Sequence, residues 1–161
     1  MIDFMRMAES MKSHGFQNIR LDAEYGGVPF RLVAEARAGL VKQTILISSV
    51  STLDKNEALR IGEEFLRIDG TSRGVWVGKI FTYCLFAEKV DRDAATELAE
   101  RIRKNDLKAS NFVKGGGGAI LIFDISTRGF AGGYYPRFVG INILADVIGE
   151  TMASSDSSTH G

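Results

Sequence analysis

Cysteine is almost missing from this chain: Cys84 stands alone among 161 residues. That excludes an intramolecular disulfide framework, and no Cys/His spacing resembles a zinc site, so a reducing compartment fits best. Histidine is as scarce. His14 falls at a predicted helix end and His160 in a polar tail, where neither makes a general base, and no glycine-flanked serine elbow exists. Excess charge is absent too, since 20 Lys and Arg offset 20 Asp and Glu; no global field draws the protein to nucleic acid or to an anionic membrane. No apolar run approaches the roughly 20 residues needed to span a bilayer. Asp3 and Glu9 interrupt the N-terminal apolar residues, which leaves no signal-peptide core and makes a cytoplasmic location the expectation.

What is present is ordinary globular composition, 45% apolar and 25% charged. Such a chain can bury one core, so a single α/β (α+β) domain over residues 1–152 is expected, with 153–161, free of large apolar side chains, as a disordered tail.

Hydrophobic spacing sets the element order. Phe4, Met7, Ala8 and Met11 recur at helical period, and Gly15 supplies a helix stop. From Ile19 the period becomes two, and Gly26-Gly27 predicts a two-residue hairpin turn. That register pairs Tyr25 with Val28, Ala23 with Phe30, Leu21 with Leu32 and Ile19 with Ala34, all on one face. A second turn at Ala38-Gly39 would set Ala36 against Val41, Leu32 against Ile45 and Phe30 against Ile47.

Asp54 and Glu57 form a capping-box pattern before a helix with Ala58, Ile61, Phe65 and Ile68 on one stripe. The runs at 74–87 and 119–125 are apolar on both faces, as in strands covered from two sides. Between them Asp91 caps a helix carrying Ala95, Leu98, Ala99 and Ile102. Ile141, Leu144, Ala145, Ile148 and Met152 mark a last helix. The expected fold is a three-stranded antiparallel meander plus a β-α-β crossover, in the order α-β-β-β-α-β-α-β-α.

Several residues stand out chemically. Asp22 and Glu35 lie on adjacent strands, and Glu35-Ala36-Arg37 follows Asp22 in a helix, three antiparallel strands, helix, strand order over residues 1–105. This resembles the restriction-endonuclease-like fold, whose motif is an Asp followed by (Asp/Glu)-x-Lys; the resemblance implies a catalytic set of Asp22, Glu35 and Arg37, with Arg37 in the lysine's place. The hairpin register opposes it. Asp22 faces Arg31, four residues from Glu35, a separation of roughly 13 Å at about 3.4 Å per residue. Cross-strand pairs of Asp22 with Arg31 and Glu35 with Lys42 are expected instead.

If residues 74–87 broke into a hairpin at Gly78-Lys79, the order over 1–105 would be α-β-β-β-α-β-β-α, similar to the type III secretion chaperones; that resemblance implies a dimer that holds partner chains.

The glycine run 115–118 precedes a strand rather than a helix, so a flexible connector is expected there, not a phosphate loop. Arg101, Arg103, Lys104, Lys108 and Lys114 make residues 101–114 the most basic stretch, an anionic-partner patch or a helix C-terminus complemented by cations. Asp124 lies among Ile122, Phe123 and Ile125, where it needs a partner; Lys79 or the following turn could supply one. The segment after it joins Arg128, Phe130, Tyr134, Tyr135, Arg137 and Phe138, a mixture enriched at binding surfaces.

A non-catalytic interaction module is therefore expected, acting on a protein or small anionic partner, or associating with itself, through Asp124, Arg128, Phe130, Tyr134, Tyr135 and Arg137. No cofactor, metal ion or membrane contact is expected. The alternative is a nucleic-acid-binding, degenerate nuclease-like domain with weak affinity.

Overall fold

A computed structural model describes residues 1–38, 41–72, 80–110, 117–135 and 141–157. Along the chain run α1 (Phe4–Ser13), β1 (Gln17–Tyr25), β2 (Val28–Ala38), β3 (Val41–Leu53), α2 (Lys55–Ser72), β4 (Ile80–Val90), α3 (Arg92–Ser110), β5 (Gly117–Asp124), β6 (Gly129–Tyr134) and α4 (Ile141–Ser157). The strands form one six-stranded sheet in the order β1-β2-β3-β4-β5-β6. β1, β2 and β3 pair antiparallel, β3, β4 and β5 pair parallel, and β6 returns antiparallel to β5.

α1, α2 and α3 each begin where a short acidic side chain accepts from otherwise unpaired amides. Asp3 accepts from the Arg6 amide (3.0 Å), Asp54 from Glu57 (2.9 Å) and Asp91 from Asp93 (2.9 Å) and Ala94 (3.3 Å). The Glu57 carboxylate bonds to Arg60, so the salt-bridged side chain replaces the reciprocal half of the expected capping box. After α1, Gly15 takes φ +87° and the Phe16 amide bonds back to the Met11 carbonyl, the expected stop.

Two cores sandwich the sheet. Ala58, Ile61, Phe65 and Ile68 of α2 and Ala94, Ala95, Leu98 and Ile102 of α3 cover one face. Met7 and Met11 of α1 with Leu144, Val147 and Ile148 of α4 cover the other. β4 and β5 are buried on both sides, which explains their continuous apolar runs. The α/β class and the meander hold, and the crossovers place β4 beside β3 and β5 beside β4.

Several details differ from the sequence-based expectation. Gly26 and Gly27, at φ +60° and +77°, form the expected turn, and Tyr25 to Val28, Ala23 to Phe30 and Leu21 to Leu32 pair as expected. Ile19 does not oppose Ala34 in that register. The pairing slips by one between Arg20 and Gln17, at a bulge where Asn18 adopts φ +49°. Nor do the apolar residues share one face. Val28 and Phe30, with Ala23 and Tyr25, join the α2/α3 core, whereas Leu32 and Ala34, with Ile19, join the α1/α4 core. The ribbon changes faces beside Asp22, whose φ is +45°.

Between β2 and β3, Leu32 opposes Ile47 and Ala38 opposes Val41, so each partner on β3 lies two residues later than expected; Gly39, of the expected turn, lies outside the described residues. The pairing moves by two, which preserves the face of every side chain and is invisible to an alternation pattern. Both edges of β4 are occupied by parallel neighbours, leaving no place for the hairpin at Gly78-Lys79 that a secretion-chaperone arrangement requires; those two residues themselves lie outside the described ones. The glycine run is not wholly a connector either. Gly117 and Gly118 open β5 and are buried. A β-carbon on Gly118 would sit 2.3 Å from the Phe81 ring and 2.6 Å from the Phe65 ring. β6, expected as loop, adds a strand to the predicted order, and α4 continues to Ser157, past the expected boundary at 152.

Candidate functional site

The segment singled out for binding is the β5–β6 hairpin. Asp124 ends β5, nearly buried, and one carboxylate oxygen accepts from the Ser126 hydroxyl (2.6 Å), the Ser126 amide (2.9 Å) and the Thr127 amide (3.4 Å). The Ser126 hydroxyl holds this carboxyl below its ordinary range, burial opposes the shift, and the turn amides reinforce it. Asp124 thus fastens a turn, the second of the roles its position allowed. Lys79 lies outside the described residues. Arg128 occupies the turn at φ +55°, and its amide donates to the Ile125 carbonyl.

The aromatic residues divide. Phe130 is 51% exposed and meets Phe123 edge to face with ring centroids 5.4 Å apart. Tyr135 is 52% exposed. Tyr134 faces inward: its hydroxyl donates to the Asp106 carboxylate of α3 at 2.7 Å, and its ring packs against the α2/α3 core. Arg137 and Phe138 lie outside the described residues. β6 is the last strand of the sheet, carries no charge, and contains Gly129, Gly132 and Gly133.

The nuclease-like set does not assemble. Asp22 pairs with Arg31 at 3.3 Å, and Glu35 pairs with Lys42 at 2.9 Å while accepting from the Asn18 side-chain Nδ2 at 2.6 Å. The Lys42 ammonium holds the Glu35 carboxyl below its usual range, with burial opposing and Asn18 assisting. Lys42 reaches Glu35 diagonally, because Thr44 stands directly opposite Glu35 and Arg37 opposite Lys42. Among the described residues no three His, Cys, Asp or Glu side chains are grouped to hold a metal ion. In the basic stretch Arg103 is clamped by Glu100 at 2.5 Å, and Arg101 approaches the Leu59 carbonyl of α2 at 3.5 Å; Lys114 lies outside the described residues. Cys84 is a buried core residue.

A second feature escaped the sequence patterns. The ladder between β2 and β3 ends at Leu32 and Ile47, after which β2 follows β1 and β3 follows β4 to Leu53. In this fork lies a cavity of about 360 Å³ lined by Asp22, Pro29, Phe30, Arg31, Ser48, Ser49, Arg60 and Glu64. Phe30 meets buried Tyr83 edge to face at 5.3 Å, and the Tyr83 hydroxyl approaches Glu64 at 3.4 Å. Burial drives the Tyr83 phenol well above its ordinary range, partly offset by a hydrogen bond with Ser48. Arg60 bridges Glu57 and Glu64. Its residues come from β1, β2, β3 and α2, so only the strand divergence could reveal them, and no spacing in the sequence encodes it. Comparison of the chain with protein-family models, with curated proteins and with solved structures finds no significant match.

Proposed function

We propose that the protein is a non-catalytic interaction module that receives an extended strand of a partner, or of a second copy, along the β6 edge. The observation that supports this reading is the chemistry of that edge. β6 ends the sheet, bears no charged side chain, and projects a half-exposed Phe130 next to the equally exposed Tyr135. Native edge strands commonly carry lysine, proline or inward charges that discourage pairing, and β6 has none of these. Strand addition draws affinity from main-chain bonds and specificity from alternate side chains, here an aromatic anchor. Glycines leave the backbone accessible to such a neighbour.

The reading is checked by light scattering across a concentration series for the wild type and for Phe130→Lys, together with capture of extended peptides in a display library. Concentration-dependent assembly or selection of alternating apolar peptides, weakened tenfold or more by Phe130→Lys, is the expected result. A strictly monomeric protein that selects no peptide sinks it.

A further inference from the structure

We infer that the fork between β2 and β3 is a binding site for a small zwitterion of the free α-amino acid class. Its size agrees first: about 360 Å³ falls at the small end of metabolite pockets, which run from roughly 300 to 1,000 Å³. Its position agrees as well. Ligands of open α/β sheets gather at the carboxyl ends of parallel strands, and Ser48 and Ser49 lie on the carboxyl half of β3, beside Leu85 and Phe86 of β4.

The charges select the ligand class. One wall carries Asp22 and Arg31, the other Arg60 and Glu64, so the lining is formally balanced and gives no net attraction to a phosphate or to a metal cation. The two arginines are not equivalent. Arg60 is held by two carboxylates of its own helix, Glu57 and Glu64, the latter at 2.5 Å. Arg31 has a looser partner in Asp22 at 3.3 Å, both side chains being more than half exposed. Its guanidinium also lies over the Phe4 ring, 5.1 Å from the centroid, a contact through the ring face that leaves N–H groups to a planar acceptor. A ligand carboxylate therefore goes to Arg31.

At the other wall the Glu64 carboxylate, only 18% exposed, gives one oxygen to Arg60 and keeps the other, which the Tyr83 hydroxyl approaches only at 3.4 Å, beside Ser48 for an ammonium group. Phe30 and Pro29 supply the apolar surface between the two ends. An ammonium, a carboxylate and a small apolar body are the parts of a free amino acid.

The test is thermal unfolding of the full chain with a panel of free L-amino acids, each beside its N-acetyl and methyl-ester derivative. At about a hundredfold excess over Kd, a binding amino acid raises the midpoint by roughly 5 °C or more, and neither derivative does so. Arg31→Ala and Glu64→Gln should each weaken the response at least tenfold, whereas Phe130→Lys, on the far edge of the sheet, should leave it unchanged and so keeps this site separate from the β6 reading. Should either variant fail to fold, Ser48→Val serves in its place. Absence of stabilisation by every free amino acid, equal stabilisation by the blocked derivatives, or a response indifferent to the fork variants overturns the assignment.

Discussion

At the scale of single residues, burial and local hydrogen bonds decide what the reactive-looking side chains can do. Cys84 sits in the middle of β4 with both faces covered, and desolvation pushes its thiol up to about 12. A thiol that stays protonated and inaccessible is inert. Native protein should therefore label negligibly with a thiol-exchange reagent at pH 8 and label fully in denaturant; rapid native labelling would show that β4 opens. Asp124 makes a pH prediction. Its carboxyl is depressed in the folded state, chiefly by the Ser126 hydroxyl, so its contribution is fully present above the unfolded carboxylate pKa of about 3.9 and is lost as pH falls through the lower folded value. Asp124→Ala should cost about 1 to 2 kcal/mol at pH 7. In denaturant titrations the gap to wild type should narrow below about pH 3, while a gap independent of pH would rule out the charged bonds as its cause. The sequence showed that Asp124 needed a partner; which partner depended on the turn geometry after it.

At the scale of elements, the β5–β6 hairpin was legible only in part. The aromatic residues were visible in the chain, but a strand written Gly-Phe-Ala-Gly-Gly-Tyr has the composition of a loop, and it is β5 that recruits it. Pairing then sorts residues that the sequence treated alike. Tyr134→Phe should lower stability by about 1 to 3 kcal/mol, because it removes the hydroxyl donor to Asp106, itself only 7% exposed. Tyr135→Ala should leave the thermal midpoint nearly unchanged, since half of that ring already faces solvent. Equal losses in the two variants would place Tyr135 in the core. Gly118 tests the interior of β5 in the same way. The space a methyl group needs is filled by the Phe81 and Phe65 rings, so Gly118→Ala should cost about 1 to 3 kcal/mol in chemical denaturation through forced ring displacement. A neutral Gly118→Ala would mean that the two rings yield freely.

At the scale of the whole molecule, the helices on both faces make the middle of the sheet the most protected region. Amide exchange should be slowest in β4 and β5, which are covered on two sides and paired on both edges, and faster in the edge strands β1 and β6. Uniform exchange across the sheet would contradict this layering. With equal numbers of acidic and basic residues, duplex DNA should bind only weakly near physiological salt, and a submicromolar, steeply salt-dependent affinity would revive the nucleic-acid alternative. No helix among the described residues is long and apolar enough to cross a membrane. The sequence by itself determined the helices, the first hairpin and the central strands, because periodicity, caps and paired glycines act over a few neighbouring residues. It also determined the partners of Asp22 and Glu35, since both pairs lie within reach of one hairpin or its neighbour. Only the tertiary structure decided that the meander turns half its apolar residues to each side, that the glycine-rich segment becomes an edge strand, and that β2 and β3 part to leave a cavity. Those features arise where distant segments compete for the same surface. Local pattern carries no record of that competition, because a shift of two residues or a change of face leaves the alternation of the sequence intact.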